Sequence, residues 1–528
     1  MKYTLIFAVL ASAVAAFVFT PASAAQCESL TSLKLPDTVI VSARFLPAGP
    51  FTIPGSPSQQ GAPSREPIAL PAFCRVEATV KPAVRFEVWL PISGWNGNLE
   101  AVGNGGFAGS ISYSAMVAAL KAGYVTASTD TGHSGGDAEW ALGHPELIVD
   151  YGYRAIHEMT LKAKMLIESF YGTGVRLSYF NGCSNGGRQG LMEAQRYPDD
   201  YNGVLAGAPA NYLTHLYPGG MLWLVIATLR DPDNYIPTNK LTAIEDASLA
   251  ACDELDGLKD GLIQDPRKCK FDPAVLLCEH ADSASCLTAK QIEALRNIYA
   301  GAPPLNGKPI FPGKMPGGES GWANYMPTPS QNISYKLSVG FFKYMVYEDP
   351  SWDFGTWNFA NGLPYTESKL GGILDAVSPN LGPFRAHDGK LLIYQGWSDP
   401  AVAPLNAINY YKSVVASITG NAEAGFEHET DAFFRSNKTA QESVRLFMVP
   451  GMSHCGGGPG PNKFDAFGPL VNWVEHKQAP ERILASHSTN DAVDRTRPLC
   501  PYPMTAQYTG RGSIDEATNF VCKAPSSN

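Results

Sequence analysis

Gly182-Cys183-Ser184-Asn185-Gly186 stands between a β-rich run, Leu177 to Phe180, and a run of helical period, Arg188 to Arg196. Few folds use that arrangement. A G-x-S-x-G turn leaving a strand and entering a helix lifts its serine hydroxyl to the C-terminal edge of a parallel sheet. The turn is sharp, so glycine is needed where a Cβ would strike the strand or the helix. The same geometry aims the Asn185 backbone N–H at the place where an oxyanion would form. A Gly-rich turn with no chemistry is the alternative reading of these five residues alone.

The surroundings supply the sheet. Arg85 to Leu90, Asn98 to Val102, Tyr124 to Asp130 and Val204 to Ala206 read as strands. Tyr113 to Ala122 and Asp150 to Tyr171 have helical spacing. This alternation predicts an α/β fold with a parallel sheet covered by helices. From 211 to 385 the alternation fades and Pro, Gly, Trp and Tyr become dense. It resumes with strands Lys390 to Gly396 and Val444 to Val449 and helices Ala407 to Ser417 and Phe464 to His476. A catalytic domain made of 25–210 and 386–528, interrupted by an inserted domain at 211–385, is therefore expected. Hydrophobic residues at 45% suffice for a large core, and Gly plus Pro stays below low-complexity levels. A net charge of −9, with no basic block, argues against nucleic acid as a partner.

A serine hydroxyl needs a base to take its proton. In folds with this elbow the acid and the histidine follow the serine, each at a strand end. His454 lies in Pro450-Gly451-Met452-Ser453-His454-Cys455, after the Val444 strand, and Asp399 lies in Trp397-Ser398-Asp399-Pro400, after the Lys390 strand. Helix capping is the alternative role for Asp399. If Ser184 and His454 meet, their neighbours Cys183 and Cys455 must also lie close, so a Cys183–Cys455 disulfide is expected.

Residues 1–24 read as a secretory signal peptide. Lys2 is the basic start, Leu5 to Phe19 the apolar run, and Ala22-Ser23-Ala24 the cleavage signal. No later run is long and apolar enough to span a membrane, so no membrane association is expected after cleavage, and the mature chain should be secreted or periplasmic. Ten cysteines in an oxidising compartment then read as disulfides.

The Gly-Cys-Ser-x-Gly-Gly elbow, the Gln-Gly-Trp-Ser-Asp strand end and the Pro-Gly-Met-x-His-Cys loop together resemble the tannase and feruloyl esterase family. The resemblance covers nearly all of the mature chain. It implies an α/β-hydrolase fold with a large inserted lid domain. It also implies five disulfides: Cys27–Cys74, Cys183–Cys455, Cys252–Cys269, Cys278–Cys286 and Cys500–Cys522. Within the insertion, Asp253, Asp256 and Asp260 form an acidic loop that could gather hard oxygen ligands for Ca²⁺. On the residues alone a solvated acidic loop is the first reading and a calcium cage the second. The resemblance implies a structural calcium site made of Asp253, Asp256, the Leu258 carbonyl, Asp260 and the Leu262 carbonyl, and no organic cofactor.

The expected reaction is ester hydrolysis through an acyl-enzyme, with Ser184 as nucleophile, His454 as base and Asp399 orienting it. Asn185 N–H and an N–H of Gly105 or Gly106, in the Gly103-Asn104-Gly105-Gly106-Phe107 turn, would hold the oxyanion. The family implies small aromatic esters derived from plant cell walls or polyphenols: hydroxycinnamoyl (feruloyl-type) first, galloyl second, terephthalate monoesters rarely. Phe341, Phe342, Tyr344, Trp352 and Trp357 are candidates to touch the ring, although for any one of them lid core is the first reading. Lys343 could face a substrate carboxylate or be solvated. A catalytically dead aromatic-binding protein is the non-enzyme alternative.

Overall fold

The computed structural model describes residues 21–54, 67–328, 333–421, 429 and 431–524. The leader at 1–24 falls almost wholly outside the described residues; a helix, Pro21–Ser29, begins near its end. Nine strands make one sheet: β1 (Thr38–Leu46), β2 (Phe73–Val80), β3 (Val84–Pro91), β4 (Asn98–Val102), β5 (Val125–Thr129), β6 (Leu177–Cys183), β7 (Gly203–Gly207), β8 (Lys390–Gly396) and β9 (Val444–Val449). Their spatial order is β1-β2-β3-β5-β4-β6-β7-β8-β9. The first three strands pair antiparallel, as does β3 with β5. From β5 onward every pairing is parallel.

The parallel strands are buried on both faces, which is why they read as short apolar runs rather than alternating ones. Helices α1 (Tyr113–Lys121), α2 (Ala155–Tyr171), α3 (Asn185–Arg196), α4 (Pro404–Thr419) and α5 (Phe467–His476) cover them. Ile156, Leu191 and Ala407, on α2, α3 and α4, pack with Leu99, Val204 and Ile393 on one face. Ala119, Leu470 and Trp473, on α1 and α5, pack with Tyr179, Leu205 and Leu392 on the other. Adjacent strand residues such as Val204 and Leu205 go to opposite cores, as a period of two requires.

The helix expected over Asp150 to Tyr171 is regular only from Ala155; Asp150–Arg154 is a widened π turn. That turn leaves the carbonyls of Tyr151 and Gly152 free to accept from Arg188. α3 begins at Asn185, three residues earlier than its apolar period indicates, because the elbow is the single residue Ser184.

Between β7 and β8 the chain makes a mostly helical insertion, including Trp223–Leu229, Leu241–Cys252, Ala289–Ala300, Ile333–Gly340 and Phe359–Thr366. Part of it has a core of its own, with Ile244, Leu295 and Trp322. Another part shares a core with Phe107, Tyr151 and Val402 of the sheet domain, which seats it over the loops at the strand ends. Five disulfides close in the pairing given above, two of them inside the insertion. Among the described residues, no helix is long and apolar enough to cross a membrane.

Candidate active site

Ser184 sits at φ 64° and ψ −123°, a strained conformation for an L residue. Close packing holds it there. A Cβ at Gly182 would come within 2.6 Å of the Gly186 backbone, and one at Gly187 within 2.4 Å of the Gly207 carbonyl. The Ser184 N–H donates to that same carbonyl at 2.9 Å. Strand, elbow and helix thus fit together only with glycine at these positions.

The strand ends of β8 and β9 bring up the other two residues. His454 Nε2 lies 2.9 Å from Ser184 Oγ, and His454 Nδ1 lies 2.8 Å from Asp399 Oδ2. Asp399 is fully buried. Its Oδ1 accepts the N–H groups of Ala401 and Val402 at 2.8 and 2.9 Å, and Gln395 donates to Oδ2 at 2.9 Å. Burial alone would raise this carboxyl. His454 beside it and the two backbone N–H groups outweigh that and hold it below the usual carboxylate range. A carboxylate at Nδ1 fixes the proton there and leaves the Nε2 lone pair facing the serine hydroxyl. The Cys183–Cys455 disulfide, with Cα atoms 6.0 Å apart, joins the residue before Ser184 to the residue after His454.

Gly105 and Gly106 both line the cavity above Ser184. Their loop is bolted down from several sides. Gln189 accepts the Asn104 N–H at 3.1 Å and donates to the Asn104 side chain at 2.7 Å. Tyr151 donates to the Gly106 carbonyl at 3.1 Å, and His133 Nε2 to the Phe107 carbonyl at 2.6 Å. Burial lowers His133 to about 4, so its ring is neutral and its Nε2 carries the donating proton.

The cavity measures about 310 Å³ and holds Ser184, Asn185, His454 and Cys455 at its base. Its walls are chiefly apolar, with Leu213, Leu216 and Leu337, and its rings are Tyr151, Tyr217 and Tyr325. The expected lid aromatics stand elsewhere. Phe341, Phe342 and Trp357 are buried in the insertion's core with Trp352 against them. Phe341 stacks behind Tyr217 at 4.4 Å, one layer back from the cavity. Tyr344 donates to Glu139, and Lys343 acts on Asp349. Aromatic content placed the rings in the insertion; which of them face the cavity depends on packing. Gln395 was also legible in principle, as the one amide in the apolar run of β8.

The acidic loop at 253–262 curls around Asp253, whose carboxylate accepts the N–H groups of Asp260, Gly261 and Leu262. Asp256 accepts from Leu258 N–H and is pushed up to about 6 by burial and by the charges of Asp260 and Asp253. Asp260 also pairs with Arg497 at 2.5 Å, and its carbonyl accepts from Arg495. The loop offers oxygen donors only and concentrates negative charge, which fits a hard divalent cation.

Comparison with known proteins places the chain in a family. The family model described as "Tannase and feruloyl esterase" matches residues 69–523. An uncharacterized esterase of Xanthomonas campestris pv. campestris is 40% identical, covering 97% of this chain and 93% of its own. Feruloyl esterase B of Aspergillus niger is 31% identical over 85% of this chain and 86% of its own. The crystal structure of feruloyl esterase B from Aspergillus oryzae superposes with a TM-score of 0.85 at 28% identity, covering 95% of this chain and 100% of that one. Tannin acyl hydrolase from Aspergillus niger, at 21% identity, shares the fold with a TM-score of 0.75 over 95% of this chain and 94% of that one. The chain thus belongs to the tannase and feruloyl esterase family and is a carboxylic ester hydrolase of α/β-hydrolase fold.

Proposed function

We propose that the protein is an exported esterase that releases hydroxycinnamic (feruloyl-type) acids from small plant-derived esters through an acyl-enzyme on Ser184. The observation that carries this is the Ser184–His454–Asp399 chain of hydrogen bonds at the floor of an apolar, tyrosine-bearing cavity. His454 takes the serine proton as Oγ attacks the ester carbonyl. Asp399 steadies the imidazolium. The N–H groups of Asn185 and the Gly105–Gly106 turn hold the oxyanion. His454 then protonates the departing alcohol, and water repeats the sequence on the acyl-enzyme. The insertion acts as the lid that shapes the acyl pocket, contributing Leu213, Tyr217 and Tyr325.

The walls favour a feruloyl over a galloyl ring. A galloyl group brings three hydroxyls, and each one buried without a partner costs about 1–3 kcal/mol. Among the described residues that line the cavity, none is Lys or Arg, which disfavours a terephthalate carboxylate. The expected result is a kcat/KM for methyl ferulate at least about tenfold above that for methyl gallate. A terephthalate monoester should be slower still. Gallate equal to or faster than ferulate would overturn the acyl preference.

Export and calcium belong to the same proposal. Five disulfides suit an oxidising compartment. Ca²⁺ would be held by Asp253, Asp256 and Asp260 with the carbonyls of Leu258 and Leu262, closing the loop beside the Cys252–Cys269 disulfide. Its role would be to offset the charge of Asp256, which Asp260 and Asp253 repel, and so brace the loop. At free Ca²⁺ about 1,000 times Kd, binding adds about 4 kcal/mol of stability. Thermal melts in EDTA and after Ca²⁺ is restored should therefore differ by several degrees, and Asp256→Asn should shrink the difference. Coincident melts, with no calcium in undialysed protein, would remove the site.

A further inference from the structure

Arg188 is fully buried, yet its hydrogen bonds go to neutral oxygens. Nε donates to Asn185 Oδ1 at 2.7 Å. Nη1 donates to the carbonyls of Gly152 and Leu374 at 2.7 and 3.3 Å, and Nη2 to that of Tyr151 at 2.9 Å. The acid that acts on it from nearby, Asp375, accepts hydrogen bonds from the Thr214 N–H and hydroxyl instead. The guanidinium also lies over the Tyr151 ring, 4.9 Å from its centroid. A cation in this setting is left electrostatically under-compensated one helical turn from Ser184, and its field reaches whatever it hydrogen-bonds.

Its partner Asn185 passes that field on. Asn185 Nδ2 donates to the Asn104 carbonyl at 3.3 Å. In a planar trans peptide, the N–H across from that carbonyl is Gly105's. Gly105 lines the cavity with Ser184, and a Cβ there would meet open space. Among the described residues, no backbone acceptor pairs with the Gly105 N–H. The next peptide differs in its carbonyl partner: the Gly105 carbonyl accepts from the Ala108 N–H at 2.9 Å within the turn, a neutral local donor with no link to Arg188.

We infer that Asn185 acts twice, its backbone N–H as one oxyanion donor and its side chain, polarised by Arg188, as the group that orients and charges the Asn104–Gly105 peptide so that Gly105 N–H is the second donor. This rests on the reading of Ser184 as nucleophile. Arg188 and the Asn185 amide are positioning groups: they act on the oxyanion through Gly105. A donation to the carbonyl end of a peptide strengthens donation from its N–H end. The relay therefore joins a permanent charge to the place where negative charge develops. Gln189 accepts the N–H of the preceding peptide, Gly103–Asn104, and donates to the Asn104 side chain, so Asn104 is anchored on the other side of its Cα as well.

Asn185→Asp tests it. The replacement keeps the shape and the Arg188 contact, and turns the donor facing the Asn104 carbonyl into an acceptor. Loss of one oxyanion donor lowers kcat by about 10²–10³. With p-nitrophenyl butyrate, that loss is expected in kcat with KM changed less than about threefold. Inhibition by phenylboronic acid, whose serine adduct is tetrahedral and anionic, should weaken at least about tenfold in parallel. A role in structure alone would lower the melting temperature and spare the boronate affinity of the folded fraction. Should Asn185→Asp not fold, Asn185→Ala keeps the backbone donor and should give the same pattern. The relay is overturned if kcat stays within threefold, or if kcat falls while boronate affinity is unchanged. Ser184→Ala, run beside these, separates the two ideas. Activity surviving there sinks the nucleophile assignment, whereas activity surviving only in the Asn185 variants sinks the relay.

Discussion

Ser184→Ala is expected to lower kcat for an aryl ester roughly 10⁶-fold while leaving the fold and the melting temperature nearly unchanged. The size follows from the geometry. Nucleophile, base and orienting acid act as one unit, so losing the first member forfeits the work of all three. What survives is the roughly 10³–10⁴-fold advantage over water that oxyanion donors and substrate positioning supply. Removing one hydroxyl from the elbow disturbs no packing, because the strain at φ 64° is held by Gly182, Gly187 and Gly207 and not by the side chain. The measurement is p-nitrophenol release by protein verified as folded by its melt. Activity within tenfold of the unaltered protein would mean that another group attacks the ester.

The largest effect on stability is expected from the Cys183–Cys455 disulfide. It closes a loop of 272 residues. In the chain-entropy account, opening a loop of that length costs about 5 kcal/mol. For the double variant Cys183→Ser, Cys455→Ser this corresponds to a fall in melting temperature of about 5 °C in a chain of this length. Activity should suffer as well. Cys455 adjoins His454, in a loop whose backbone at Cys455 is itself left-handed (φ 63°). A shift of about 1 Å in a reacting group costs about 10²-fold in rate. The control is Cys500→Ser, Cys522→Ser, which opens a loop of only 22 residues away from the cavity. It should cost about 3 kcal/mol and spare kcat. If both double variants lose stability but neither loses kcat well below its melt, the first disulfide is a staple of the fold and not of the site.

Much of this was open to reading along the chain. The elbow, the order Ser184, Asp399, His454, and the break in strand-helix alternation after β7 are local patterns. Each reflects chemistry that adjacent residues must satisfy: glycine where backbones touch, a loop at a strand end, apolar runs where strands are covered on both faces. The pairing of Cys183 with Cys455 was legible for a different reason. Two residues that must touch carry their neighbours with them. The bounds of α3 and of the Asp150 turn were less legible. The first depends on the one-residue elbow at Ser184, and the second accompanies the hydrogen bonds that the distant Arg188 donates to the Tyr151 and Gly152 carbonyls.

The aromatic residues mark the limit. Phe341, Phe342 and Trp357 stand among the candidates to touch the substrate ring, and Tyr217 and Tyr325 do not. The structure puts the first three in the insertion's core and the last two on the cavity wall. Tyr151, from outside the insertion, joins them. Hydrophobic burial is non-directional, so composition says that rings will be covered and not by what. The hydrogen-bond chain from Arg188 through Asn185 to Asn104 was likewise invisible, because Asn104 lies 81 residues before Asn185 and nothing local links them. The sequence by itself determined the elbow, the order Ser184, Asp399, His454 and the break in strand-helix alternation, since those rest on contacts between near neighbours or on patterns a strand must carry. Tertiary structure alone decided which rings line the cavity above Ser184 and which carbonyl Asn185 reaches beside the buried Arg188, since both depend on how distant segments pack.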